Sequence, residues 1–181
     1  TWDGAVGKIA RRYTREPERI AIKVESAHIE EKVYFCDNAE HKNQILEHLV
    51  ADPEMGQAII FAATKRASEE IADSLRDNGF RARYLHGDLP QVKRNRIVED
   101  LRKGKCDILV ATDVAARGID IPAISHVINY DLPRQVEDYV HRIGRSGRAG
   151  RSGVAINLCS LADRSQLSAI TRYLERKIDE H

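Results

Sequence analysis

Short apolar runs alternate with amphipathic segments through most of this chain, and this alternation limits its possible folds more than any other feature. The run Ala58–Phe61 is continuous, as expected for a strand buried on both faces. We predict five such strands, at Ala58–Phe61, Arg81–Leu85, Cys106–Ala111, His126–Tyr130 and Val154–Cys159. Strand–helix–strand alternation predicts an α/β fold of three layers, in which helices flank a mostly parallel central sheet.

Helix boundaries are marked by capping residues. Thr64 is a suitable N-cap for the helix after the first of these strands, and Gly79 can end that helix in the left-handed conformation. Asp88 and Gln91 have the spacing of a capping box for the next helix, which Gly104 ends. These positions divide the middle of the chain into repeated strand–helix units.

The first thirty-odd residues follow another pattern. An apolar stripe at helical spacing is followed by alternating apolar residues typical of a strand, and the polar segment Ser26–Glu31 is interpreted as a linker. The stripe consists of Trp2, Val6, Ile9 and Tyr13. Because burying one large apolar side chain is worth about 1.5–3 kcal/mol, we expect this segment to pack on the domain or to mediate self-association through residues 1–24.

Bulk composition excludes several classes of protein. The formal net charge of the 181 residues is +1, so any polyanion-binding surface must be local. No apolar run is long enough to cross a membrane, and no secretory pattern is present, which predicts a cytoplasmic protein with no membrane partner. Cys36, Cys106 and Cys159 are widely spaced in apolar runs, which favours buried free thiols over disulfides or a metal site.

Candidate functional residues cluster just after the predicted strands. Thr64, Gly87, Thr112 and Asp113 all follow strand ends, and in parallel sheets ligands bind outside the carboxyl ends of the strands. Further on, the segment His141–Arg148 places three arginines at a spacing of three among glycines. Planar guanidinium groups match phosphate oxygens two at a time, so this segment is suited to a polyanion.

Two of these segments carry a family resemblance. Ala111–Asp120 and His141–Arg148 together resemble the last two signature motifs of the DEAD-box RNA helicases. The segment from Ile59 to Arg66 resembles a third motif of that family, and His86–Asp88 with Gln91–Arg94 match two further elements, so the resemblance covers residues 57–150 in the family's order. It implies a RecA-like fold for residues 26–181 and identifies residues 1–25 as the tail of a preceding domain with a linker.

The resemblance also implies roles for particular residues. Arg145 and Arg148 would be catalytic arginine fingers, and they would bind the nucleotide together with Gly118 and Asp120. His141 and Arg142 would contact the facing domain and couple its nucleotide state to closure. RNA phosphates would be contacted by a third set, Thr64, Lys65, Gly87, Arg94 and Thr112.

Plainer interpretations stay open for some of these positions. Lys65 fits equally well as part of a basic first helical turn, and Asp120 alone would be read as a turn or capping aspartate. Asp113 can cap a helix, and Arg117 can serve as an internal ion-pair partner. Gln91 is better explained as a capping residue than as a ligand contact.

Other motifs of a complete helicase do not occur in these 181 residues. There is no GxxxxGK[ST] phosphate loop and no Asp-Glu-Ala-Asp sequence. We therefore expect ATP and Mg²⁺ to be bound mainly by a missing N-terminal RecA-like domain, and this chain alone to be inactive. The expected function is the second RecA-like domain of an ATP-dependent RNA helicase (an ATP hydrolase), gripping the RNA backbone without sequence preference.

Two other functions remain as alternatives. One is a DNA helicase domain of the same superfamily, against which the form of the two last motifs argues. The other is a non-catalytic RNA-binding or interaction module that keeps only the fold, against which the intact arginine segment argues.

Overall fold

The computed structural model describes residues 18–24, 27–117, 124–144 and 153–179. Within these ranges the seven strands are β1 (Glu18–Val24), β2 (Ala27–Phe35), β3 (Ala58–Phe61), β4 (Ala82–Leu85), β5 (Ile108–Ala111), β6 (His126–Asn129) and β7 (Gly153–Cys159). The six α-helices of the same ranges are α1 (Ala39–Val50), α2 (Lys65–Asp77), α3 (Gln91–Arg102), α4 (Asp113–Arg117), α5 (Val136–Ile143) and α6 (Arg164–Asp179). Short 3₁₀ turns lie at Pro53–Met55 and Leu161–Asp163.

The strands form one sheet in the order β1-β2-β7-β6-β3-β5-β4. The pairs formed among strands β2 to β7 are all parallel, and β1 pairs antiparallel with β2 at one edge. The central strand β3 is buried at all four residues, because the sheet is covered on both faces. The predicted mostly parallel α/β fold is confirmed.

Helices divide between the two faces of the sheet. On one face Leu46 of α1 and Ile71 of α2 share a cluster with Ile60 of β3. On the other face Ile97 of α3 packs in a cluster with Ile59 of the same strand. Because successive side chains of a strand point to opposite faces, a continuous apolar run supplies both layers of core.

The boundaries of α2 agree with its predicted capping residues. The Thr64 hydroxyl accepts a hydrogen bond of 3.0 Å from the backbone N–H of Ala67, so Thr64 is the N-cap. Gly79 has a φ of +89°, and the Phe80 N–H donates to the Leu75 carbonyl at 3.0 Å. This pattern is a Schellman motif, which requires the left-handed conformation that glycine adopts without strain.

The capping box predicted for α3 is wrong. The N-cap of α3 is Pro90, without a side-chain capping bond, so the helix begins two residues later than a cap at Asp88 requires. The Asp88 carboxylate instead accepts from Lys65 at 2.7 Å, and Gln91 donates to Asn95 within the helix. A charge-assisted hydrogen bond to an ammonium is stronger than one to a neutral backbone N–H, which explains why Asp88 turns away from the helix.

The predicted linker at Ser26–Glu31 is also wrong for residues 27–31. They belong to β2, which lies between β1 and β7, and the side chains of Ile29, Glu31 and Val33 are buried. The sequence also predicts a strand at Val33–Cys36, so the polar run around Glu31 concealed only the first part of β2. The apolar stripe of residues 2–13 lies outside the described residues, so the self-association predicted for that segment and the domain boundary near residue 25 stay predictions.

Three further observations concern the predictions from composition. Cys36, Cys106 and Cys159 are all free and buried, as predicted. Burial raises the pKa of the Cys36 thiol to about 11, which keeps it protonated and unreactive at neutral pH. Among the described helices, none is long and apolar enough to span a bilayer.

Candidate nucleic-acid and nucleotide interface

Several predicted site residues lie along one edge of the sheet. The ends of β6, β3, β5 and β4 are in register, since Phe61 pairs with both Asn129 and Ala111, and Ala111 pairs with Leu85. Thr64, Gly87 and Thr112 follow these strands within three residues, so they share the carboxyl edge. The parallel topology thus gathers residues that are up to 48 positions apart in the sequence.

The most heavily bonded side chain at this edge is Arg142 of α5. Its Nε and Nη2 donate to the two carboxylate oxygens of Asp113, both at 2.7 Å. Its Nη1 donates to Asn129 Oδ1 at 3.2 Å and to the Asp131 carbonyl. The guanidinium also lies 5.0 Å from the centre of the Phe61 ring, in cation–π geometry. Arg142 is therefore a structural centre to which two helices and two strand ends are bound.

Arg142 also occupies the topological switch point of the sheet. The connection after β3 leads toward β4 on one side, and the connection after β6 leads toward β7 on the other. Ligands of parallel sheets commonly bind between two such strand ends. Here the guanidinium over Phe61 and Asn129 fills that position. The predicted RNA contacts Thr112 and Gly87 lie beside this position, at the ends of β5 and β4.

The two residues predicted to couple the domains differ in exposure. Arg142 is only 2% exposed, so its predicted direct contact with a facing domain is replaced by contacts inside this domain. His141 is exposed and remains available for such a contact. The burial of Arg142 means that any coupling it provides passes through Asp113 and Asp131.

A second ion pair joins the same two helices. Arg117 at the end of α4 donates to the Asp138 carboxylate of α5, which confirms the interpretation of Arg117 as an internal ion-pair partner. Asp131, which follows β6, links that strand end to other elements. Its carboxylate accepts from the N–H of Ala63, after β3, at 2.8 Å and lies 3.5 Å from Nζ of Lys42 on α1. Sequence analysis did not single out Asn129 or Asp131, although Asn129 is a polar residue that ends an apolar strand and Asp131 follows it by two residues.

Two predicted RNA contacts carry unpaired polar atoms. Among the described residues, the buried side-chain nitrogen and oxygen atoms without a hydrogen-bond partner are Arg94 Nε and Thr112 Oγ1. An unpaired buried polar group costs about 1–3 kcal/mol, so such atoms in a native fold call for an explanation. The backbone N–H of Thr112, unlike its hydroxyl, is engaged, because it donates to the Leu85 carbonyl at 3.4 Å.

The other predicted RNA contacts are exposed, and two of them are engaged. The Thr64 hydroxyl caps α2, and Lys65 Nζ lies 2.7 Å from Asp88, whose pKa this hydrogen bond and charge hold below the usual range. Gly87 differs, because a Cβ added there would meet no atom within 4 Å. In the part of the chain that the structure describes, therefore, no steric reason requires glycine at position 87.

The loop that carries Gly87 is fixed by His86. This histidine is buried, stacks on Tyr84 with ring centres 5.5 Å apart, and lies 2.6 Å from Glu69 through Nε2. Its Nδ1 accepts from the Asp88 N–H at 3.2 Å. Together with the Lys65–Asp88 pair, these contacts tie the loop after β4 to α2 and hold Gly87 at the edge.

The residues predicted to bind the nucleotide lie outside the described residues. They are Gly118, Asp120, Arg145 and Arg148. Within the described ranges, no group of three or more His, Cys, Asp or Glu side chains could hold a metal ion.

Comparisons with known proteins agree on one family. Residues 41–150 match the helicase conserved C-terminal domain. The ATP-dependent RNA helicase RhlB of Aliivibrio fischeri is 43% identical over 178 residues, which is 97% of this chain and 41% of that protein. The chain thus spans about two-fifths of the length of the curated relatives it matches.

Solved structures agree with this. The Escherichia coli DEAD-box protein SrmB, bound to the regulator of ribonuclease activity A, superposes with a TM-score of 0.75 at 46% identity, over 78% of this chain and 83% of that one. The C-terminal domain of the DEAD-box protein Dbp5 gives 0.72 at 40% identity, over 78% and 82% of the two chains.

Proposed function

Because the chain belongs to the DEAD-box ATP-dependent RNA helicases, as the C-terminal domain of their helicase core, we propose that it works as one half of an RNA-dependent ATPase. In this proposal it supplies arginine fingers to ATP and one side of a groove for the RNA backbone. The rest of the protein supplies the phosphate loop, the metal-binding carboxylates and the facing surface.

The observation that carries the proposal is the pair of unpaired buried atoms among the described residues, one just after β5 and one in the first turn of α3. Thr112 Oγ1 and Arg94 Nε belong to the small set predicted from sequence to contact RNA phosphates. A hydroxyl and a guanidinium N–H can both donate to phosphate oxygens. A bound RNA backbone, once the atoms that cover these two groups move aside, would therefore supply the partners that both lack among the described residues.

RNA recognition in this proposal depends on the backbone. Thr112 and Arg94 donate to phosphates, while Gly87 lets a strand approach the loop after β4 closely because no side chain intervenes. The hydroxyl of Thr64 and the ammonium of Lys65 join them once RNA competes with their present partners. Phosphate contacts position a strand without reading its bases, so little sequence preference is expected.

Nucleotide chemistry is assigned to the arginine segment. Arg145 and Arg148 would stabilise the charge that spreads over the γ-phosphate in the transition state, a contribution of roughly 10³–10⁵ in rate. Gly118 and Asp120 would contact the nucleotide, and His141 would meet the facing domain. ATP and Mg²⁺ would be held mainly by that domain.

The buried free cysteines support the proposed cytoplasmic location.

The Arg142–Asp113 ion pair connects the two functions. Thr112, the predicted RNA contact, directly precedes Asp113, and Arg145 follows Arg142 by three residues. A shift of α4 on RNA binding is therefore passed by a bidentate ion pair to the helix that leads into the arginine segment. This link explains how RNA could stimulate hydrolysis without contacting ATP.

The test compares this chain with the full-length protein that contains it. We expect RNA-stimulated ATP hydrolysis from the full-length protein, no stimulation by DNA of the same sequence, and no hydrolysis by residues 1–181 alone. Equal stimulation by DNA would favour a DNA helicase, and an inactive full-length protein that still binds RNA would favour a non-catalytic module. Clear activity from the isolated chain would contradict the division of labour proposed here.

A further inference from the structure

Five buried polar side chains form one hydrogen-bonded series across the sheet, which we call the buried polar series. It runs from Glu31 on β2 through Tyr139 on α5, Asn157 on β7 and Asn129 on β6 to Arg142 on α5. Each of the five is 5% exposed or less. The series joins a strand next to the sheet edge to the centre of the site described above.

Each link in the series is a direct contact. The Tyr139 hydroxyl donates to the Glu31 carboxyl group. Asn157 Nδ2 donates to Tyr139 Oη at 3.0 Å, and Asn129 Nδ2 donates to Asn157 Oδ1 at 2.8 Å. Arg142 Nη1 then donates to Asn129 Oδ1 at 3.2 Å. Asn157 Nδ2 also lies 3.2 Å from the Lys32 carbonyl, which fixes the orientation of its amide.

The series attaches α5 at two points. Tyr139 and Arg142 are three residues apart, so both face the sheet from the same side of the helix. Apolar contacts such as those of Ile143 are non-directional and tolerate small rotations or slides. Hydrogen bonds between buried groups do not tolerate such movements, because each lost bond leaves an unsatisfied polar atom. The polar contacts therefore determine the rotation and height of α5 on the sheet.

We propose that Tyr139 is a positioning residue for the predicted arginine fingers, acting through the buried polar series that orients α5. The helix ends at Ile143, and Arg145 is two positions further along the chain. A small rotation of α5 therefore changes the point and direction from which the arginine segment departs. This inference rests on the proposed role of Arg145 and Arg148. It adds that buried side chains of the domain, including one as distant as Glu31, determine where Arg145 and Arg148 are placed.

Tyr139→Phe in the full-length protein is the direct test. The variant keeps the ring and its packing but removes the hydroxyl that joins Glu31 to Asn157. Because misplacing a catalytic group by a fraction of an ångström to 1 Å costs up to 100-fold, we expect kcat for ATP hydrolysis to fall about tenfold. The RNA Kd and the KM for ATP should change less than about twofold, since the predicted RNA contacts lie on other elements.

Thr171→Val is the matched control for loss of a buried hydroxyl. Thr171 lies on α6, which packs in the same layer as α5, and its hydroxyl donates to the Leu167 carbonyl within its own helix at 2.9 Å. It has no part in the buried polar series. This variant also loses a buried hydroxyl, and it should keep the wild-type kcat.

A combination with Arg145→Lys separates positioning from general loosening. If Tyr139 acts through the fingers, Tyr139→Phe should lower kcat much less than tenfold when Arg145 has already been replaced. Undiminished additive losses, or parallel losses of RNA affinity and kcat, would overturn the inference. A wild-type kcat in Tyr139→Phe, found together with an inactive Arg145→Ala, would also overturn the inference. The proposed function would stand in that case, because the arginine finger would still be required. A wild-type kcat in Arg145→Ala would instead refute the finger role and the inference with it.

Discussion

Arg142 and Asp113 form a bidentate ion pair, with Nε–Oδ1 and Nη2–Oδ2 distances of 2.7 Å, that binds the start of α4 to the end of α5. The arginine is almost completely buried, and four of its five N–H groups have acceptors in the described residues. Because the pair joins the neighbour of a predicted RNA contact to the helix before the predicted fingers, its loss should affect both stability and coupling.

Replacing Arg142 should therefore destabilise the domain strongly. Removing one partner of a buried ion pair costs about 3–5 kcal/mol, because the remaining polar groups stay desolvated. We expect Arg142→Ala to lower the free energy of unfolding of the 181-residue chain by that amount in a urea titration. Arg117→Ala breaks an ion pair of α4 and α5 whose arginine is exposed, and it should cost no more than about 1 kcal/mol. Equal losses would show that Arg142 is not buried as described.

Gly87→Ala separates a ligand requirement from a folding requirement. A Cβ at position 87 meets no atom within 4 Å, so the melting temperature should not change. RNA affinity of the full-length protein should fall if the backbone of the strand contacts this loop. Gly56→Ala is the reverse control, since its φ of +66° and the Ser125 hydroxyl 3.2 Å from a new Cβ predict lower stability and unchanged RNA affinity. Unaltered RNA binding by Gly87→Ala would remove Gly87 from the proposed interface.

Thr112→Val tests the unpaired hydroxyl. The substitution removes a buried donor that has no partner among the described residues, so stability should stay the same or rise slightly. A hydrogen bond to a charged phosphate contributes about 1.5–3 kcal/mol, so RNA affinity should fall by roughly ten- to 100-fold. The loss should be similar for unrelated RNA sequences, measured by fluorescence anisotropy at a fixed salt concentration. A loss confined to one sequence would contradict backbone recognition.

The buried carboxyl group of Glu31 predicts a pH dependence of stability. Burial raises its pKa from 4.5 to about 8, so between these values the folded protein holds a proton that the unfolded chain has released. Stability from this group is then fully present below pH 4.5 and falls as the pH rises toward 8. Glu31→Gln cannot ionise, so its unfolding free energy relative to wild type should increase between pH 5 and pH 9 by a few kcal/mol, in order of magnitude. A difference that is constant with pH would refute the assignment.

Elements that depend on local patterns could be predicted from the sequence. The apolar run of β3 and both caps of α2 were identified because strand periodicity and capping chemistry involve residues close together in the chain. Features fixed by long-range contacts could not. Asp88 caps no helix because Lys65, on another element, binds it first. Neighbouring charged residues concealed the buried position of Glu31 in β2.

The candidate site shows the same division. Strand ends identified Thr64, Gly87 and Thr112, because a parallel sheet brings its carboxyl ends to one edge. Burial of Arg142 was not predictable, since its acceptors come from two separate parts of the chain: Asp113, and the segment that holds Asn129 and Asp131. Asn157 and Tyr139 were missed for the same reason, because each gains significance only from the side chain that it meets.

The most direct test of the account is the ATPase activity of Arg145→Ala in the full-length protein, measured at saturating RNA together with the RNA affinity. The account predicts a loss of roughly 10³-fold or more in kcat, with RNA affinity changed by less than about threefold, because an arginine finger acts on the transition state of phosphoryl transfer. Near-wild-type hydrolysis by this variant would contradict the central claim that this domain completes the ATPase site.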